Sequence, residues 1–188
     1  SELARADLVY AIGSSVATWG PLDLLALARR RIVMHWVGSD VQYALADGRR
    51  GRASRRLIRR ATHWADAPWL ANELRPLRIR AAVRPLPVPI AVGEAARLPG
   101  EFRVLVCLPE RPHAAYAVDE TLAVMRALPD VRFVIAGGFA APAEFANATS
   151  LGFVAGMADV YRDSVVLLRL GYHDRLSHSV IEALSYGR

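Results

Sequence analysis

The chain has 188 residues, 53% of them apolar and 22% charged, which excludes a disordered or fibrous polypeptide and suits one large or two small globular domains. Formal net charge is +6 and every basic residue is arginine, a cation that favours planar, bidentate contact with phosphate or carboxylate. Basic balance alone implies only an acidic partner: a nucleic acid, an anionic membrane or a phosphorylated small molecule.

In chain order, ADLVYAIG reads as a strand. GPLDLLALARR follows as a helix with Pro21 near its start. The apolar stretch 8–28 is long enough for a membrane helix, but Gly13, Ser14, Ser15, Gly20, Pro21 and Asp23 interrupt it. No signal peptide is visible at SELARADLVYAIG, and a soluble chain is expected. RIVMHWVG is the next strand, and SRRLIRRATHWA carries a helical period. A weaker strand and helix are expected around APWLANELRPLRI. The Pro- and Gly-rich segment VRPLPVPIAVGEAARLPG then marks a domain boundary near residues 86–101.

In the second half FRVLVCLP is a strand, VDETLAVMRAL a helix, and VRFVIAGG a strand ended by two glycines. TSLGFV reads as a short strand, MADVYRD as a short helix, and SVVLLRL as a strand buried on both faces. Cys107, the single cysteine, reads as a buried strand residue; it cannot close an internal disulfide, which favours a reducing cytoplasm. Strands alternating with helices predict an α/β class with parallel sheets covered on both sides. In such sheets ligands sit where strands end and helices begin, so the loops after the strands are the informative ones.

One of them is GYHDRLSHSVIEALSYGR, from Gly171 to Arg188. With Leu176 to Ser179 as the first helical turn, its free backbone N–H groups and the positive end of the helix dipole form a place for phosphate oxygens. Glu182 lies about one turn further in, and an ionised carboxylate, acceptor-only, suits the vicinal hydroxyls of a sugar. Spacing alone favours the plainer reading, a loop or cap acid at Asp174 and an exposed helix acid at Glu182; the surroundings shift that weighting.

Asp174, seven residues, then Glu182 followed by ALSYGR resembles the E-x7-E motif of GT-B glycosyltransferases of the family 4 type, with Asp for the first Glu. LPDVRFVIAGG and TSLGFVAGMADVYRDSVVLLRL resemble successive elements of that family's donor domain. RIVMHWVGSDV resembles the N-terminal-domain strand that ends in an active-site His, and THWADAPWLANELRPLRIRAAVRPLPVP the segment leading to the linker. The resemblance implies two Rossmann-like domains facing across a cleft: residues 1–88 on the acceptor side and 89–188 binding the donor. The family opens with a glycine-rich strand–loop–helix and continues past ALSYGR, so both domains are expected to be incomplete here.

By the same resemblance, the donor is a nucleotide-diphospho-sugar and the acceptor a glycan, a lipid-linked sugar or a small molecule. Glu182 would bind the ribose, Asp174 the transferred sugar, and the Leu176 and Ser177 amides the diphosphate. Gly152, Phe153 and Val154 would lie beside the base, and His35 would face the sugar. Arg111 would supply a cation to the diphosphate, with His113 or Arg169 as further candidates. Transfer would be retaining and metal-independent, with no cofactor besides the donor. A non-catalytic module that binds nucleotide sugars, and an epimerase of the same fold, are the alternatives.

Outside this motif, RRGRASRRLIRR between Arg49 and Arg60 reads either as a solvated helix face or as a contact with anionic lipid headgroups at the inner face of the membrane or with a phosphorylated acceptor such as a lipid-linked sugar. Nucleic-acid binding fits the charge, but no nucleic-acid motif accompanies it. Trp19, Trp36, Trp64 and Trp69 all fall in the first half and are expected mainly in its core.

Overall fold

The computed structural model describes residues 6–87, 93–112, 114–173 and 175–188. The chain forms two compact units, Ser1–Val88 and Pro89–Arg188.

The first unit runs β1 (Leu8–Ile12), α1 (Pro21–Leu27), β2 (Arg31–Trp36), α2 (Ser39–Arg49), α3 (Arg55–Arg60), β3 (Thr62–Ala65), α4 (Pro68–Glu73), a 3-10 turn at Arg75–Leu77, and β4 (Ala82–Val83). The strands are all parallel, in the order β1-β2-β3-β4. Every crossover steps in the same direction, so right-handed connections deliver the helices to one face. The core follows from this. Val9, Ile32, Met34, Trp36 and Ala65 of the strands meet Val41, Ala44, Leu57 and Leu70 of the helices. The alternate side chains of β1, Leu8, Tyr10 and Ile12, point the other way and are exposed.

The helical period in SRRLIRRATHWA ends at Arg60, and THWA is strand β3 rather than helix. Ala61 turns extended, with φ −75° and ψ 148°, and the following residues suit a pleated strand. His63 then pairs across to β2: the Trp36 indole N–H donates to its Nδ1 at 3.2 Å, and its Nε2 donates to the Ile58 carbonyl at 2.9 Å. APWLANELRPLRI likewise forms a helix and a 3-10 turn, with the strand only at Ala82–Val83.

A buried acid stitches α1 to α3. Asp23 accepts from the Ser54 hydroxyl (2.5 Å), the Trp19 amide (2.9 Å) and both Nε and a terminal nitrogen of Arg56 (3.2 and 3.0 Å). Ser54 also caps α3 by accepting from the Leu57 amide at 3.0 Å. Burial alone raises the Asp23 pKa. The bonds from Ser54, Trp19 and Arg56 outweigh burial and hold the carboxyl below its ordinary value.

The second unit runs β5 (Arg103–Cys107), a 3-10 turn at Ala114–Tyr116, α5 (Val118–Ala127), β6 (Arg132–Ala136), β7 (Ala148–Ser150), α6 (Ala158–Arg162), β8 (Val166–Leu168) and α7 (His178–Ser185). Its strands are parallel in the order β7-β6-β5-β8. The chain steps outward from β5 to β7 and then returns to the other side of β5. That reversal covers both faces. Met125 of α5 joins Val104, Val106, Phe133 and Ile135 on one side, and Tyr161, Ala183 and Tyr186 join Leu105 and Ala136 on the other.

β8 is therefore an edge strand, and SVVLLRL is not buried on both faces: Val166 is exposed and Leu167 and Leu168 are half-buried. The strand expected over TSLGFV sits at Ala148–Ser150 and has ended before Gly152, whose φ of 70° belongs to the left-handed region. At the end of β6, a Cβ on Gly137 would stand 2.5 Å from the Leu108 carbonyl oxygen, so the AGG bend admits only glycine there. One side chain ties the amino end of β6: Asn147 Nδ2 donates to the carbonyls of Met125, Leu128 and Val131 at 3.0, 3.0 and 3.2 Å.

Candidate functional site

In an open parallel sheet, the point where strand order reverses leaves a crevice at the carboxyl ends of the two strands concerned. In the second unit these are β5 and β8. Three side chains meet there. Cys107 ends β5, Arg169 follows β8, and Glu182 projects from α7. Burial pushes the Cys107 thiol up to about 11; the nearby Arg169 guanidinium opposes that shift and the Glu182 carboxylate adds to it. The thiol is thus neutral, and the charges around it are those of Arg169 and Glu182.

Glu182 is half-buried and held. The Tyr161 hydroxyl of α6 donates to its Oε2 at 2.8 Å, and the Tyr161 ring stacks on Tyr186 with centroids 5.3 Å apart. Burial, then the bond to Glu182, pushes the Tyr161 pKa upward, so the phenol remains a donor at every physiological pH.

Arg169 lies over the Tyr116 ring, 4.9 Å from its centroid, a cation–π contact that orients the guanidinium. Beside it the loops after β5 and β8 are fastened together. The Tyr172 amide donates to the Ala115 carbonyl at 3.2 Å, and the Tyr172 hydroxyl donates to the Glu120 carboxylate.

Helix α7 begins at His178, with Ser177 as its extended N-cap residue, so Leu176 precedes the helix rather than opening its first turn. The Ser177 carbonyl accepts from the Val180 and Ile181 amides, both at 3.2 Å, which leaves His178 and Ser179 as the leading amides. The Ser177 and Ser179 hydroxyls are 2.9 Å apart, and Arg175 donates to His178 Nδ1 at 3.3 Å. Asp174 and His113 lie outside the described residues.

Gly152, Phe153 and Val154 follow β7, two strands from β5 in the sheet. Phe153 is 85% exposed, and Val154 packs under α6. Arg111 is exposed in the loop after β5. All the described donor-side candidates therefore sit at the carboxyl end of one sheet. A surface groove of about 720 Å³ lies elsewhere, bounded by Arg103 and Arg132 at the amino ends of β5 and β6 and by Asp159 and Asp163. That end of a parallel sheet offers no loops leading into helices.

His35, in the first unit, is 1% exposed. Its Nε2 donates to the Arg84 carbonyl at 2.8 Å, and its Nδ1 accepts from the Tyr10 hydroxyl. Both ring nitrogens are thus engaged, and the ring meets Tyr10 and Trp64 edge-on at 5.8 and 6.0 Å. The group that this arrangement presents outward is Tyr10.

Among the described residues no three His, Cys, Asp or Glu side chains are grouped to hold a metal ion, and no helix is long and apolar enough to cross a membrane. The sequence reading missed Tyr161, Tyr116 and the Tyr172–Glu120 link. A tyrosine in a short helix carries no spacing cue that it will meet a carboxylate two elements later.

No protein-family model and no curated protein matches the chain. Among solved structures it is similar to TarM, with a TM-score of 0.52 and 13% identity over 89% of this chain and 43% of that one. It is similar to a point mutant of S. aureus TarM in complex with fondaparinux, alpha-GlcNAc-glycerol and UDP, with a TM-score of 0.56, 12% identity and the same coverage of 89% and 43%. The overlap with the glycosyltransferase SnogD from Streptomyces nogalater, at a TM-score of 0.47 and 20% identity over 97% and 53%, is too low to bear on the fold. The fold is α/β and GT-B, with two Rossmann-like units. This chain spans under half the length of the TarM chains it matches.

Proposed function

We propose that this chain is the nucleotide-sugar-handling part of a glycosyltransferase that moves a sugar from a nucleotide-diphospho-sugar to a glycan, lipid-linked or small-molecule acceptor. The observation that supports it most is the oriented Tyr161–Glu182 pair beside Arg169, at the strand-order reversal of the second unit. UDP in a TarM complex of the same fold adds to that support.

The roles follow from chemistry. Glu182, acceptor-only when ionised, takes ribose hydroxyls. The start of α7, with Leu176 and Ser177 leading into it, receives the diphosphate oxygens. As the bond to the sugar breaks, negative charge grows on the departing diphosphate, and a preorganised guanidinium stabilises it. Arg169, held by the Tyr116 ring, fits that task better than the exposed Arg111, which assists. Gly152 to Val154 lie beside the base, with the Phe153 ring available for stacking. Asp174 meets the transferred sugar. The first unit takes the acceptor, and transfer is retaining and independent of metal.

His35 enters as a positioning group, since its nitrogens are engaged with Tyr10 and Arg84. That engagement also favours a second reading, a module that binds nucleotide sugars without turning them over.

Thermal shift with UDP-, GDP-, ADP- and dTDP-sugars, on this chain and on Glu182→Ala, tests the donor site. A ligand that binds only the native state raises stability by roughly 2.7 kcal/mol at a hundredfold excess over Kd. A shift with one nucleotide that Glu182→Ala abolishes is the expected result. No shift with any of them, from folded protein, would sink the assignment. Turnover that needs an acceptor separates transfer from epimerisation, and binding without turnover selects the second reading.

A further inference from the structure

Helix α1 of the first unit packs Ala26, Leu22 and Leu25 toward the core and carries a second apolar stripe on its outer face. Its charged residue, Asp23, is 0% exposed, whereas Leu24 is 48% and Leu27 52% exposed. Pro21, Leu24 and Leu27 recur every third position and form one outward stripe. A surface helix of a globular protein normally carries polar or charged residues on that outer face. Just before the helix, Trp19 is 72% exposed at a φ of 62°, a left-handed conformation unusual for a bulky residue. Its amide is pinned by Asp23, and its neighbour Thr18 donates both its amide N–H and its hydroxyl to the Arg52 carbonyl at 2.7 Å. The indole is thus held outward by bonds that also bind α1 to α3.

Around this stripe the charge is basic. Arg52, Arg55, Arg59 and Arg60 are exposed along and before α3, and Arg29 and Arg31 are exposed beyond the end of α1. Arg60 reaches across to the Ala26 carbonyl at 3.5 Å, so the arginines of α3 border α1 directly. Arg56 belongs to Asp23. The single acid of α1 is therefore buried and neutralised, and nothing on the stripe offsets the arginines.

We propose that this face, formed by Trp19, Leu24, Leu27 and the arginines of α3, docks the protein on an anionic lipid bilayer. Indole at headgroup depth, aliphatic side chains just below it and arginines around them match the layers of an anionic membrane surface. A nucleic acid would use the arginines but leave the leucines in water. A second copy across a two-fold axis would set arginine against arginine. The inference is independent of the donor site and needs no catalytic activity to be tested.

The test is flotation of the full chain with vesicles of phosphatidylcholine alone and with vesicles rich in phosphatidylglycerol. Binding to the anionic vesicles, weakening with salt and absent from neutral ones, is the expected result. Arg55→Gln with Arg59→Gln should lower the partition about thirtyfold. Trp19→Ala with Leu24→Ser should lower it as well, with loss of the fluorescence blue shift that vesicles induce. If that pair fails to fold, Leu24→Gln alone replaces it, since glutamine suits an exposed helix position. Absence of binding, equal binding to both vesicles, or binding unchanged in the variants overturns the proposal. So does a dimer in size exclusion that Leu24→Ser dissolves, which assigns the face to a second copy. Tight binding of single-stranded RNA that ignores the leucines, without vesicle binding, overturns it in favour of a nucleic acid.

Discussion

The Tyr161 hydroxyl donates to Glu182 Oε2 at 2.8 Å from a ring that is itself stacked on Tyr186, so the carboxylate is aimed before any ligand arrives. The bond uses one oxygen and leaves the other to accept from a sugar hydroxyl. Tyr161→Phe keeps the stacking and removes the aim. Nucleotide-sugar affinity should fall at least about fivefold, the net worth of about one hydrogen bond. Isothermal titration checks this, and unchanged affinity would show that Glu182 is oriented by something else.

Cys107 reports on the same crevice. Its pKa, raised from 9.0 to about 11, leaves about a hundredfold less thiolate near neutral pH than an unshifted thiol would have. Ellman's reagent should react slowly with the native protein and fast with the unfolded one. Glu182→Gln should lower the apparent pKa of that reaction and Arg169→Gln should raise it, because the two charges act on the thiol with opposite sign. Since Cys107 is the only cysteine, the signal has one source.

Asp23 is the residue on which α1 and α3 depend. Asp23→Ala strands the Ser54 hydroxyl, the Trp19 amide and one face of Arg56, at a cost of roughly 2–4 kcal/mol. Urea midpoints measure it. The folded pKa of Asp23 lies below the unfolded one, so its contribution is present above the unfolded value and is lost as pH falls through the folded value. The acid limb of the stability curve should therefore flatten in the variant.

His63 acts in the same acid direction for a different reason. Burial lowers its pKa, and the bond to the Ile58 carbonyl only partly restores it. Its Nδ1 must also stay unprotonated to accept from Trp36. With the folded pKa below the unfolded one, the native state is unaffected above about pH 6.5 and loses stability as pH falls below it. His63→Gln should remove that slope between about pH 6.5 and 5, read from denaturation midpoints and Trp36 fluorescence.

Much of the second unit was legible because its strands are continuous apolar runs bounded by Gly and Pro, as with VRFVIAGG. The first unit was harder. THWA follows a helix after one extended residue, so a window that spans both sees a single helical period. α2 escaped notice because Asp47, Gly48 and Arg49 blur its apolar spacing. Of the site, Glu182 and the loop leading into α7 were visible as a motif. Arg169, Tyr116 and Tyr161 come together only through strand order, which no local pattern encodes. His35 lies near the carboxyl end of β2, but its burial depends on Tyr10 and Trp64 arriving from neighbouring strands.

The two strand orders also bear on how the chain acquires its structure. In the first unit each strand pairs with the next one in sequence, so each pairing closes only a short loop. In the second, β8 must come back to β5 after β6 and β7 have been made, and the Val104–Val166 register closes a long one. Folding rates fall as contacts become less local, and long loops cost more entropy to close. The β5–β8 seam is therefore expected to form last and to open first, and it is the seam beside which Arg169 and Glu182 converge.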